Sequence, residues 1–419
     1  MQNRTLFGGI SLVPGGSAWI FQKSEVRKTS YFLRNEWERQ PELGEEEFYG
    51  KLDETLTRIL PRYFGGGQRV GMSLTGGLDS RMILACYPPP PSALPCYTFA
   101  GMIREAEDVR LSRRIASFCS QSYEVISLNQ EFFRNFPKLA AQSVYLTDGA
   151  LDVTGSSGLY TNGIAREIAP VRLTGHYGGE VLRGNIVLRP DRVDRQMISI
   201  DLASHLDHQI SAYRKNIDPS STSFVVFKQV PWHHFARLAM EQTQLTVRSP
   251  YLDNEIVALA FQAPNSEAVN KRIACRLVVT KNNALSEIPT DFGLLGKPGV
   301  RSELRRKYQG FIHRAEYAYD YGMPNWMAKI DNALSFLRPE RLFLGRHKYC
   351  HFRIWYKTEL SQCVRDILLD PSTLSRSYLN AARVQQIVET HLSGQQNHTL
   401  AIHKLLTSQL IERHLLKAT

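Results

Sequence analysis

The chain has 419 residues, 43% of them hydrophobic and 22% charged, the make-up of a globular protein long enough for a large core and more than one lobe. No run approaches the ~20 apolar residues of a membrane span, and Met1-Gln2-Asn3-Arg4 leads into no secretory apolar segment, so a cytoplasmic location is expected. The net charge of +11, from 51 basic and 40 acidic residues, suits a polyphosphate, a nucleic acid or an acidic partner, but no zinc-finger or RNA-binding sheet signature accompanies it.

Thr5 to Gly16 and Ser17 to Phe21 read as short strands between glycine turns. From Glu45 to Leu60, apolar residues at Phe48, Leu52, Leu56, Ile59 and Leu60 keep the spacing of one buried helix face, and Gly65-Gly66-Gly67 then breaks the chain. Arg69 to Leu74 reads as a short buried strand, Gly76-Gly77 as a tight turn, and Asp79-Ser80 as N-terminal chemistry for a helix through Met82 to Cys86. A strand, glycine turn and helix aim backbone N–H groups and a helix dipole at one point, which suits a phosphate or pyrophosphate. Asp79 is then placed to hold magnesium against the same phosphates. Neither a G-x-x-x-x-G-K-[ST] run nor a dinucleotide-type G-x-G-x-x-G follows a strand here.

Pro88 to Pro91 stops that helix, and Pro95 to Gly101 is a second buried strand. Glu105 to Asp108 acidifies the start of a helix whose predicted buried face is Val109, Ile115, Ala116 and Cys119, and Tyr123 to Ser127 is a third strand. Strands alternating with helices predict an α/β, doubly wound parallel sheet whose ligands sit at the carboxyl ends of the strands. Val171 to Thr174 leads into a second glycine loop, Gly175-His176-Tyr177-Gly178-Gly179-Glu180. By its residues alone, Glu180 is either a first-turn carboxylate on a tight turn or a metal ligand, and His176 either a structural side chain or a proton carrier. His233-His234 has no carboxylate or cysteine at ligand spacing. Beyond Pro298 the chain is helical, basic and aromatic, with Trp326, Phe336, Phe343, Phe352 and Trp355 expected to pack, and Val384, Ile387, Val388 and Leu392 describing an amphipathic helix stopped at Gly394. The six cysteines are scattered without C-x-x-C pairs, which points to buried thiols.

Thr75-Gly76-Gly77-Leu78-Asp79-Ser80 resembles the S-G-G-x-D-S pyrophosphate loop of the ATP pyrophosphatases, with Thr for Ser. Tyr97-Thr98-Phe99-Ala100-Gly101, Leu173-Thr174-Gly175 and Arg248-Ser249-Pro250-Tyr251-Leu252-Asp253 follow in the order found in the synthetase domain of asparagine synthetases. The resemblance covers residues 46–419, and residues 1–30 look like the last strands of that family's glutaminase domain. It implies an adenine-nucleotide hydrolase-like sheet with a helical C-terminal lobe and a short N-terminal β remnant. The implied activity is that of an AMP-forming carbon–nitrogen ligase that uses ATP and Mg2+ to adenylate aspartate or a related carboxylate and passes it to ammonia or another amine.

By carry-over, Leu74, Thr75, Gly76, Gly77, Asp79, Ser80, Ala100, Thr174 and Gly175 bind ATP or pyrophosphate, and Asp79 and Glu180 hold the metal. His176 stands where some relatives carry a catalytic tyrosine, with Tyr177 beside it. Gly179 stands where the family has a metal-binding Asp, and Asp291 displaces the phosphate-contacting lysine, for which Lys297 is the nearest substitute. Arg248 and Asp253 are expected to brace the site wall. Gln2 replaces the N-terminal cysteine of the glutaminase, so nitrogen is expected from free ammonia, from an amine on the substrate, or from a separate glutaminase subunit. Other readings stay open: amide or macrolactam formation on a peptide or natural product, an ATP-binding homologue that needs a partner, and a nucleic-acid-modifying ATP pyrophosphatase.

Overall fold

A computed structural model describes residues 3–23, 25–190, 193–215, 220–296 and 299–416. Two strands, β1 (Ser17–Gln22) and β2 (Glu25–Ser30), form an antiparallel hairpin in the register Ser17↔Ser30 to Gln22↔Glu25. Both are largely exposed, and Lys28 lies 4.0 Å over the Trp19 ring. The main sheet comprises β3 (Val70–Ser73), β4 (Cys96–Ala100), β5 (Tyr123–Ser127), β6 (Val171–Thr174) and β7 (Thr246–Arg248), in the order β5-β4-β3-β6-β7. Every pairing in it is parallel.

A parallel sheet is buried on both faces because its crossovers are helices. On one face Val70, Met72, Leu74, Val171 and Leu173 join the core of the helices Glu45–Phe64, Leu78–Cys86 and Glu267–Lys281. On the other, Tyr97 and Ile126 meet Ala165 and Ile168 of the helix Gly155–Ile168. The predicted helix from Glu45 runs to Phe64, and its buried residues are the five named from periodicity. The helix Glu107–Phe118 buries Val109, Ile115 and Ala116 as expected, together with Leu111, while Cys119 lies just past its end and is only partly buried.

The C-terminal helices build a second core on Phe132, Phe136 and Val144 of the helix Gln130–Leu146, using Phe352, Trp355, Val364, Ile387 and Leu406. Trp326 and Phe336 do not pack as expected: they are 63% and 77% exposed. Their short helical segments, Asn325–Ala333 and Ser335–Leu337, bury little more than Ala328. Among the cysteines only Cys96 is a fully buried residue, and the other five residues are partly buried. Among the described residues, no helix is long and apolar enough to cross a membrane.

Candidate active site

The strand order changes direction between β3 and β6, because the chain leaves β3 toward β4 on one side while β6 leads to β7 on the other. In open α/β sheets a ligand crevice lies at such a switch point, outside the carboxyl ends of the strands. The two glycine loops occupy this crevice. A Cβ on Gly175 would lie 2.5 Å from the Ser80 nitrogen, and one on Gly178 would lie 2.5 Å from Asp79 Cγ. The loops therefore interlock, and only glycine permits the approach.

The first loop is tied from within and from outside. Thr75 Oγ1 and Ser80 Oγ are 3.2 Å apart, Ser80 Oγ donates to the Thr75 carbonyl at 3.1 Å, and Gly77 N–H donates to Thr75 Oγ1 at 3.4 Å. Gly76 N–H donates to the Asp108 carboxylate. Arg81, fully buried in the helix behind the loop, donates to the carbonyls of Ile288, Gly76 and Pro289. Burial pushes its pKa down to about 10, against the pull of Asp291. Asp291 N–H reaches the Gly76 carbonyl at 3.3 Å, so the Ser286-to-Lys297 stretch does run beside the loop. Lys297 itself lies outside the described residues, as does Gln2.

The segment after β7 straps both loops. Ser249 Oγ donates to the His176 carbonyl and Tyr251 Oη to the Asp79 carbonyl, each at 2.7 Å. Arg248 donates to the carbonyls of Tyr63 and Gly65, while Asp253 accepts from Arg62 and from Tyr63 Oη. These two residues tie the strap to the end of the Glu45–Phe64 helix and to Gly65 just past it, and neither lines a cavity of the site.

Two cavities meet at Ser73, Thr75 and His176. The smaller, about 310 Å3, is walled by Thr75, Gly77, Asp79, Ser80, Thr174, Gly175, Tyr177, Glu180 and Arg183. The larger, about 410 Å3, is lined by Leu74, Thr98, Phe99 and Asp108 on the sheet side and by Arg172, Arg237, Glu241 and Lys348 around it. Of the residues expected to bind ATP or pyrophosphate, Leu74, Thr75, Gly77, Asp79, Ser80, Thr174 and Gly175 face one of the cavities, but Gly76 and Ala100 do not. Ala100 packs on Ala106 and Val109, and its carbonyl accepts from Leu128 N–H at 3.1 Å, so Phe99 takes the wall position.

No model of a known protein family matches this chain, and a search of curated proteins finds no match either. The chemistry of the site therefore rests on its own side chains.

His176 is enclosed, and burial followed by the nearby Arg172 charge holds its pKa well below the ordinary histidine value, so the ring is neutral. Its Nε2 lies 3.3 Å from Arg172 Nη2. Arginine can only donate, so the imidazole lone pair on Nε2 is engaged and not free to take a proton. Tyr177 is buried in a left-handed conformation (φ 74°), rare for a residue with a side chain, and its ring lies 5.0 Å from that of His234. Among the described residues its hydroxyl has no hydrogen-bond partner.

Asp79 does not stand ready for a cation. Arg183 Nη1 donates to Oδ1 at 2.7 Å and Nη2 to Oδ2 at 2.8 Å. Glu180 shares the cavity, and burial, together with the neighbouring Asp79 charge, raises its pKa. Its nearest basic partner, His234 at 3.9 Å, is itself held down to about 4 by burial. Among the described residues no group of three His, Cys, Asp or Glu side chains is placed to hold a metal ion. The expected Asp79 and Glu180 pair thus lines one cavity but does not fit magnesium as arranged, because both Asp79 oxygens are already paired.

Sequence reading missed several residues of the site. Arg172, projecting from a strand of otherwise uncharged residues, donates to Ser73 Oγ at 2.9 Å and Asn162 Oδ1 at 3.0 Å, and lies 3.5 Å from Glu241. A lone arginine in a buried strand was the available signal. Lys348 reaches the larger cavity from the C-terminal lobe, paired with the buried Asp320 and lying 4.1 Å over the Tyr321 ring. Arg237 sits on the cavity wall with no carboxylate partner among the described residues.

Proposed function

We propose that this protein is an ATP-dependent, AMP-forming amide ligase of asparagine synthetase type, built on an ATP pyrophosphatase sheet. The observation that carries this reading is the interlock of the Thr75–Ser80 and Gly175–Gly178 loops at the strand-order switch, beside a second cavity lined by Arg172, Arg237 and Lys348. In the reaction, a substrate carboxylate oxygen attacks the α-phosphorus of ATP and pyrophosphate departs. An amine then attacks the acyl carbon of the adenylate, AMP leaves, and the amine gives up a proton to water.

The protein's part is to hold charge in place. The positive end of the Leu78–Cys86 helix and the Arg183 guanidinium face the departing pyrophosphate. Arg237, which has no carboxylate partner among the described residues, suits the incoming carboxylate, with Arg172 held beside it by Ser73 and Asn162. His176 keeps Arg172 oriented through its Nε2 lone pair and relays no proton. Magnesium accompanies ATP from solution, and no step is assigned to it on the protein.

The simplest acid is aspartate with ammonia, and a peptide or natural-product carboxylate is the runner-up, favoured by the 410 Å3 volume of the second cavity. Incubation with ATP, magnesium, ammonium and a panel of acids should release pyrophosphate in step with one of them, and Arg237→Ala should raise the KM for that acid roughly tenfold or more. No pyrophosphate with any acid would end the ligase reading. ATP binding without turnover would instead leave a nucleotide-binding protein.

A further inference from the structure

The pairing of Asp79 with Arg183 bears on how the phosphate cavity is neutralised. The two residues are 104 positions apart, and their side chains are only 21% and 9% exposed. Two glycines clear the space they need. The Cβ of any residue at position 178 would strike Asp79 Cγ, and one at 179 would stand 3.1 Å from Arg183 Nη2 and 2.8 Å from Asn185 Nδ2. Gly179 leaves the tips of Arg183 and Asn185 room that a side chain there would crowd. Burial on its own would weaken the guanidinium's hold on its proton, but the Asp79 carboxylate outweighs that effect and raises its pKa. The guanidinium therefore stays charged across the whole neutral range.

We infer that Arg183 is the resident counter-cation of this cavity, so that pyrophosphate binds here without a divalent ion bridging it to Asp79. The inference rests on the nucleotide reading above. An unpaired Asp79 would repel a polyanion at the wall it shares with Thr75, Gly77 and Ser80, and a metal ion is the usual remedy. Arg183 removes that repulsion from within the fold. A guanidinium has five N–H donors and the carboxylate uses two of them, which leaves donors for phosphate oxygens. Gly179 and Arg183 thus act together: one leaves the space and the other fills it with positive charge.

The test is calorimetric titration of inorganic pyrophosphate into the full chain, at fixed ionic strength, in excess EDTA and again in saturating magnesium. The expected result is an affinity in EDTA within roughly threefold of that in magnesium, lowered about tenfold or more in EDTA by Arg183→Met, the cost of losing a charge-assisted hydrogen bond. The double variant Gly179→Asp with Arg183→Gly, which exchanges the cation for a second carboxylate, should bind only when magnesium is present. A change in metal requirement is a readout that a purely structural role for Arg183 would not produce. Binding by the wild-type chain in magnesium but not in EDTA overturns this inference and leaves the proposed function standing, and so does undiminished binding by Arg183→Met in EDTA. Absence of binding in both media overturns the two together.

Discussion

Asp108 shows how one side chain can set a pH dependence. Its carboxylate accepts the N–H of Gly76, which a phosphate loop would otherwise offer to its ligand. Burial lifts its pKa from 3.8 to about 7, with the Gly76 bond pulling the other way and Asp291 adding to the rise. An acid with a raised folded-state pKa keeps a proton that the unfolded chain has already lost. Its contribution to stability is therefore complete below pH 4 and is lost as the pH rises through 7. Every tenfold difference in proton affinity between the folded and unfolded chain is worth about 1.4 kcal/mol. Asp108→Asn keeps an acceptor for Gly76 but cannot titrate, so the fall in urea-unfolding free energy between pH 4.5 and 7.5 should be smaller in the variant by on the order of 2 kcal/mol. Parallel curves for the two proteins would show that Asp108 titrates normally. Sequence reading saw Asp108 only as a helix-start charge, which it also is. Its contact with a loop 32 residues away is a matter of tertiary packing, invisible to local pattern.

Elements were more legible than contacts. The helix Glu45–Phe64 and the strand-turn-helix around Gly76 could be read because each carries its own signal: five apolar residues at helical spacing in one, a glycine pair between an apolar strand and an acidic first turn in the other. Arg183 gave no such signal, since its meaning comes from Asp79 on a different element. Trp326 and Phe336 misled because aromatic content does not say which way a side chain faces. The interlock of the two loops can be tested by adding one methyl group. In Gly175→Ala, the new Cβ meets backbone atoms of Asp79 and Ser80 at 2.5 to 3.0 Å. A helix start cannot yield as a side-chain tip would, so a loss of about 1–3 kcal/mol is expected in urea unfolding. Gly163→Ala is the matched control. Inside the helix Gly155–Ile168 its Cβ would touch nothing nearer than Gln244 Oε1 at 3.5 Å. That change should be neutral or stabilise by up to about 1 kcal/mol. Equal behaviour of the two variants would mean that the loops are not in contact.

On the scale of the molecule, the sheet core and the C-terminal helical core are linked through the helix Gln130–Leu146, which packs on Gly155–Ile168 and also supplies Phe132 and Phe136 to the second core. The larger cavity lies where these parts meet, with Thr98 and Phe99 from the sheet and Lys348 and Phe352 from the C-terminal lobe. The site therefore depends on both cores at once. The hairpin β1–β2 stands apart from this arrangement. No buried core residue comes from the described part of residues 1–30, and Ile20, Phe21 and Val26 are exposed. The first firm anchor is Phe32, whose ring meets Trp37 at 4.7 Å and Phe227 at 6.0 Å. A two-stranded hairpin is at best marginally stable in water and lends little stability to a core it does not touch. A chain beginning at Tyr31 should therefore keep its unfolding free energy to within about 1 kcal/mol of the longer chain, while losing exposed apolar surface. Thermal and urea unfolding of the two proteins, measured side by side with light scattering, checks this. A shorter chain that is as stable and scatters less identifies the hairpin as a surface appendage to a self-sufficient unit, whereas a large loss of stability would mean that the hairpin completes the fold from outside its cores.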